Sequence, residues 1–166
     1  MKHVLCYSLL LLGILICSCQ PDTVCRQTNL DVRMACKLRA DSITAAGQTI
    51  YYTTWDSITV RAVGSDSLVH DNTKNIERLL LPLRDNTDTT TFLLTYHEQT
   101  DTLRACYGNR RIFVSVECGC VYYHDIDSLA YTTNWIDTIL VIHNEVRVGS
   151  QENLRLIHHH HAENDE

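Results

Sequence analysis

The chain has 166 residues, 45% hydrophobic and 20% charged, with two prolines and eight cysteines. That composition excludes wholesale disorder and gives enough chain for one self-sufficient core. A net charge of −6 argues against a nucleic-acid surface, because a phosphate backbone asks for a basic stripe.

Lys2 and His3 precede an apolar run over 4–16, and Cys17, Ser18 and Cys19 follow. A charged start, a short apolar middle and small residues before the cut make a secretory signal peptide. The run falls short of the ~20 residues a membrane span needs. Leu15–Ile16–Cys17–Ser18–Cys19 has the form of a bacterial lipobox. Cys17 follows the bulky Ile16, whereas Cys19 follows the small Ser18, so Cys19 is the expected lipidation site and first mature residue. Acyl chains such as palmitate would then hold the protein to a membrane without a transmembrane helix. The alternative is an ordinary cleaved signal with no lipid. The expected division is a signal peptide over 1–18, a lipidated tether over 19–29, one domain over 30–157 and a His-rich polar tail over 158–166.

Within the domain, Val32, Met34, Cys36 and Leu38 alternate with Arg33, Lys37 and Arg39, which predicts a strand over 30–38. Residues 40–48 are polar, include Gly47 and read as a loop. A second strand over 55–64 turns Ile58, Val60 and Ala62 inward, and 65–74 is turn-like. Leu79, Leu81 and Leu83 make a third, with Pro82 confined to an edge or a strand end because it cannot donate to a ladder. After a turn at 85–88, Phe92, Leu94 and Tyr96 pass through a five-residue loop to Leu103, Ala105 and Tyr107 as a hairpin. Residues 109–111 read as a turn into the longest alternation, 112–123. There Ile112, Val114, Val116, Cys118, Cys120 and Tyr122 share the face expected to be buried, which makes this strand the expected centre of the domain. Residues 125–134 look irregular, 135–142 is a β-branched strand, and Leu154 and Leu156 mark the last. Short strands at this spacing, with no helical window between them, predict an all-β fold: a single antiparallel β-sandwich, immunoglobulin-like or related.

Cys6 and Cys17 leave with the signal and Cys19 takes the lipid, so Cys25, Cys36, Cys106, Cys118 and Cys120 remain. An oxidising compartment makes pairing the default, and the sequence does not choose among the pairings. Cys118 and Cys120 are parallel on one strand face, so a direct bridge between them would strain the disulfide geometry. One of the two is expected to reach an outside partner, with Cys25, at the end of the tether, as the free-moving candidate.

No catalytic residue, metal site or cofactor is predicted. The His158–His161 tract could hold Ni, Zn or Cu, yet a functional site needs fixed geometry, so a solvated tail is expected. Cys118, Cys120 and His124 share strand parity but lack a fourth ligand. Asp125 and Asp127 lack the companions of a calcium loop and read as a solvated turn. Tyr51, Tyr52 and Trp55 could stack on a sugar, although strand packing is the commoner use of such rings.

The lipobox ending at Cys19, the lone Cys25 before the first strand, and Leu81–Pro82–Leu83 form a familiar layout. With Phe113–Val114–Ser115, Cys118–Gly119, Thr133–Asn134–Trp135–Ile136 and a closing strand at 153–157, the chain resembles a Bacteroidota family of short lipoproteins catalogued only as a domain of unknown function. The resemblance implies a β-rich envelope lipoprotein and carries no catalytic or binding residues. It also implies a Cys25–Cys118 disulfide, with Cys120 as the alternative partner, and leaves Cys36 and Cys106 unassigned. The expected function is a non-enzymatic binding or assembly module anchored at the outer membrane, with an envelope protein or glycan as partner and no nucleic acid. The alternative is a small hydrolase or carbohydrate-processing accessory using loop carboxylates.

Overall fold

The computed structural model describes residues 25, 30–44, 47–52, 54–149 and 151–159. Cys19, the signal peptide and His160 onward lie outside the described residues. Among those described, the strands are β1 (Arg33–Thr44), β2 (Gly47–Tyr52), β3 (Ile58–Ala62), β4 (Leu68–Thr73), β5 (Arg78–Pro82), β6 (Thr89–Tyr96), β7 (Gln99–Ser115), β8 (Gly119–Tyr131), β9 (Thr138–Val141), β10 (Glu145–Val146) and β11 (Leu154–His159). They form two packed sheets, so the domain is an all-β sandwich.

One sheet runs β2–β1–β11–β9. β5 pairs with β1 over Arg33 to Lys37 and β2 pairs with it over Arg39 to Thr44. β5 and β2 therefore sit end to end along one edge of β1, while β11 takes the other edge in the single parallel pairing. The second sheet runs β10–β8–β7–β6–β3–β4, antiparallel throughout. The period-two pattern turns Met34, Cys36 and Leu38 of β1 and Leu79 and Leu81 of β5 against Ile58, Val60, Phe92, Leu94 and Leu103 of the facing sheet. All of these are fully buried. Burying each such Leu, Ile or Phe stabilises by roughly 1.5–3 kcal/mol.

Several expected boundaries are wrong. The predicted loop over 40–48 is the β1–β2 hairpin, whose register closes at Thr44↔Gly47. The turn-like stretch over 65–74 contains β4, a polar edge strand. The β6–β7 connection is not five residues long: Tyr96 pairs with Gln99 across His97 and Glu98, with His97 at φ 51°. The largest correction concerns residues 112–123. They are not one central strand but the two arms of a hairpin, folded at Val116–Glu117–Cys118 so that Ser115 pairs with Gly119. Gly119, at φ 71°, supplies the left-handed residue that closes such a three-residue turn. The supposed turn at 109–111 and the irregular 125–134 are continuous β7 and β8. β11 also runs past 157 to His159.

Candidate functional site

Beyond Tyr107 on β7 and His124 on β8, the last fully buried residues toward the turn, the two strands run past the end of β10 and project as a ribbon with no fully buried side chain. A register shift between Cys106 and Tyr107 marks the point of departure. Two polar groups, the buried Tyr107 hydroxyl and the exposed Asn109 amide, hold the root of this ribbon. The Tyr107 hydroxyl donates to the Arg84 carbonyl (3.1 Å), accepts from the Arg84 amide (2.9 Å) and lies 2.6 Å from Thr90 Oγ1. Asn109 Nδ2 donates to the carbonyls of Asp85 and Thr87, so its Oδ1 accepts from His124 Nδ1 at 2.6 Å. Burial pushes the His124 pKa down, against the pull of Asp85 and Asp125. This imidazole is a packing and hydrogen-bonding group at the ribbon's base.

At the ribbon's tip Cys118 is joined to Cys25, with Cα atoms 4.8 Å apart and a sequence separation of 93. The bridge therefore ties the tether to a hairpin turn, not to a buried central strand. Cys120 faces Phe113 across the ribbon and keeps a free thiol, as do Cys36 and Cys106. Burial raises the Cys36 thiol far above its ordinary pKa. With Cys118 in a disulfide and His124 on Asn109, the three do not come together as a metal cluster. Asp125 lies in β8, not in a turn, and reaches Arg110 at 3.5 Å. Phe113 and Val116, expected to be respectively outward and buried, are both exposed, at 66% and 86%.

At the opposite end of β7, Asp101 is fully buried and accepts from Thr132 Oγ1 (2.6 Å) and from the amides of Asn134, Trp135 and Ile136 (2.7, 2.8 and 2.8 Å). Burial alone would raise its pKa; those hydrogen bonds outweigh it and hold the carboxyl below the ordinary aspartate value. Asp101 shares parity with Leu103, Ala105 and Tyr107, a signal in the sequence that would have found it. The loop it pins carries Trp135, which packs with Trp55, Tyr96 and His158 in a ring cluster with centroids 4.7–6.5 Å apart. Trp55 is 3% exposed and cannot offer a face to a sugar. His158 donates from Nδ1 to the Trp135 carbonyl, so the first imidazole of the tract belongs to the domain, and His159 pairs with Asp41 in the sheet.

A cleft of about 450 Å³ opens where β5 gives way to β2 along β1, lined by Lys37, Arg39, Asn75, Ile76, Glu77 and Arg78. The backbone bond from the Leu38 amide to the Glu77 carbonyl spans this changeover. Lys37 also contacts Glu152 at 3.4 Å, and Glu152 holds Arg155 at 2.8 Å. With Lys37 on Glu152 and Arg39 donating to the Leu38 carbonyl, the cleft is a mixed polar groove in which cations and carboxylates are already interleaved. Sequence reading missed it because its walls come from separate strands whose meeting depends on the pairing order.

A family model described as a family of unknown function (DUF6452) matches residues 57–158, from just before β3 into β11. No curated protein and no solved structure matches the chain.

Proposed function

We propose that this chain, which belongs to the DUF6452 family of unknown function, is a non-enzymatic binding or assembly module of a bacterial cell envelope, anchored at the outer membrane through acyl chains on Cys19. The observation that carries the reading is the Cys25–Cys118 bridge. A structural disulfide belongs to an oxidising compartment, the destination that the signal sequence and lipobox also call for. The bridge begins six residues after Cys19, so it fastens the anchor directly to the folded domain. The seam cleft favours binding over hydrolysis: Glu77 is the one carboxylate in its lining, where glycoside hydrolysis commonly uses a pair.

The test is Cys19→Ala in the native host. The variant should move from the membrane fraction to the soluble periplasm and lose the acyl mass on its N-terminal peptide. Unchanged fractionation with no acyl mass in the parent chain would overturn the reading.

A further inference from the structure

We infer that the tip of the β7–β8 ribbon is a lipid-contacting surface that rests in the headgroup layer of the leaflet carrying the anchor. The inference rests on the proposed acylation of Cys19 and adds to it the orientation of the domain.

Reach decides which end of the molecule meets the membrane. Six residues separate Cys19 from Cys25, and six residues span at most roughly 20 Å fully extended. Cys25 lies 4.8 Å from Cys118, Cα to Cα, in the turn of the ribbon. The acyl-bearing residue is therefore held within roughly 25 Å of that turn. The other end of β7, at His97 and Glu98, is roughly 50 Å from the tip along a strand of 17 residues. The membrane must lie on the tip side.

What the tip presents there fits an interface. Val116, 86% exposed, stands in the turn, and Phe113, 66% exposed, stands on the β7 arm beside it. Single exposed apolar side chains are ordinary on a protein surface; these two stand together at the end of the molecule nearest the anchor, and that position singles them out. One step further from the turn, the register places Arg111 opposite Tyr122 and Arg110 opposite Tyr123. Arg110 is held by Glu145 (2.6 Å) and Asp125 (3.5 Å); Arg111 with Tyr122 and Tyr123 follows the layering of a bilayer interface, with phenol rings at headgroup level and the Arg111 guanidinium on phosphate. Glu117, the acid in the turn beside Val116, has its pKa lowered first by its own backbone amide and then by the Ser115 hydroxyl, so it stays charged and keeps the contact shallow, at headgroup depth.

The experiment uses the full acylated chain carrying Val116→Trp, reconstituted in phosphatidylethanolamine–phosphatidylglycerol vesicles with brominated acyl chains. Glu98→Trp serves as the comparison, and the unsubstituted chain supplies the Trp55 and Trp135 background. The Val116→Trp indole should shift to the blue on reconstitution and be quenched by bromine, while the Glu98→Trp indole should do neither. An acylated, vesicle-bound chain whose Val116→Trp emission stays unshifted overturns the tip contact and leaves the anchor standing. A chain without acyl mass that stays in solution overturns both. A blue shift seen only in native envelope, and absent in protein-free vesicles, assigns the tip to a protein partner and overturns the lipid contact.

Discussion

Replacing Asp101 by Asn should cost about 3 kcal/mol of folding stability, a figure that follows from the donors around the carboxylate. One oxygen accepts from Thr132 Oγ1 and the Asn134 amide, and the other from the amides of Trp135 and Ile136. An asparagine keeps one acceptor oxygen and turns an NH2 group toward the remaining pair. The Thr132 hydroxyl can rotate to accept, but a backbone amide cannot. One or two buried N–H groups therefore lose their partner, at roughly 1–3 kcal/mol each. The pH dependence carries a sign that checks the cause. The folded carboxyl sits below its ordinary value of about 3.9, so its stabilisation is fully present above that value and lost as pH falls through the folded pKa. Guanidinium unfolding of the chain from Gln20 onward, followed by Trp fluorescence, should give two curves well separated at pH 7 and converging in acid. A separation under about 1 kcal/mol at pH 7, or one that persists unchanged in acid, would refute the reasoning.

Reducing the Cys25–Cys118 bridge, or replacing Cys25 by Ser, should lower stability by roughly 2–4 kcal/mol, since the closed loop spans 93 residues; a denaturation midpoint that does not move would contradict it. Among the free thiols, Cys36 should resist an aromatic disulfide reagent until the domain unfolds, being fully buried with its pKa raised, while the partly exposed Cys120 should react in the native state. Rapid native labelling of Cys36, read by peptide mass spectrometry, would show that the core opens far more readily than its packing implies.

The sequence showed strands wherever one face met the core and the other met water. Ile58, Val60 and Ala62, Leu79, Leu81 and Leu83, and Phe92 and Leu94 alternate cleanly for that reason, and all are buried as expected. The same rule misled at 112–123. A ribbon clear of the sandwich has no buried face to set a phase, so the apolar alternation of its two arms ran on through the turn. Gly119 was the mark of that turn, and it was read as an outward strand position. Asn109 to Arg111 looked like a loop because strand residues wetted on both sides have loop-like composition. β2 and β4 were hidden likewise, since edge strands carry polar residues that discourage further pairing. The Cys25–Cys118 link was drawn from likeness to a family, not from spacing, and the structure places its far end on a turn.

The parallel seam between β1 and β11 bears on how the protein is made. Cys36 pairs with Leu154 and Leu38 with Leu156, so the first strand of the domain waits for the last before its edge is closed. Meanwhile β1 can draw only on β2 and β5. Contacts so distant along the chain impose a large loop-closure entropy, which slows folding, and an open β edge during that interval invites pairing with other chains. Deletions at the C-terminus of such a protein would be felt first by its N-terminal strand.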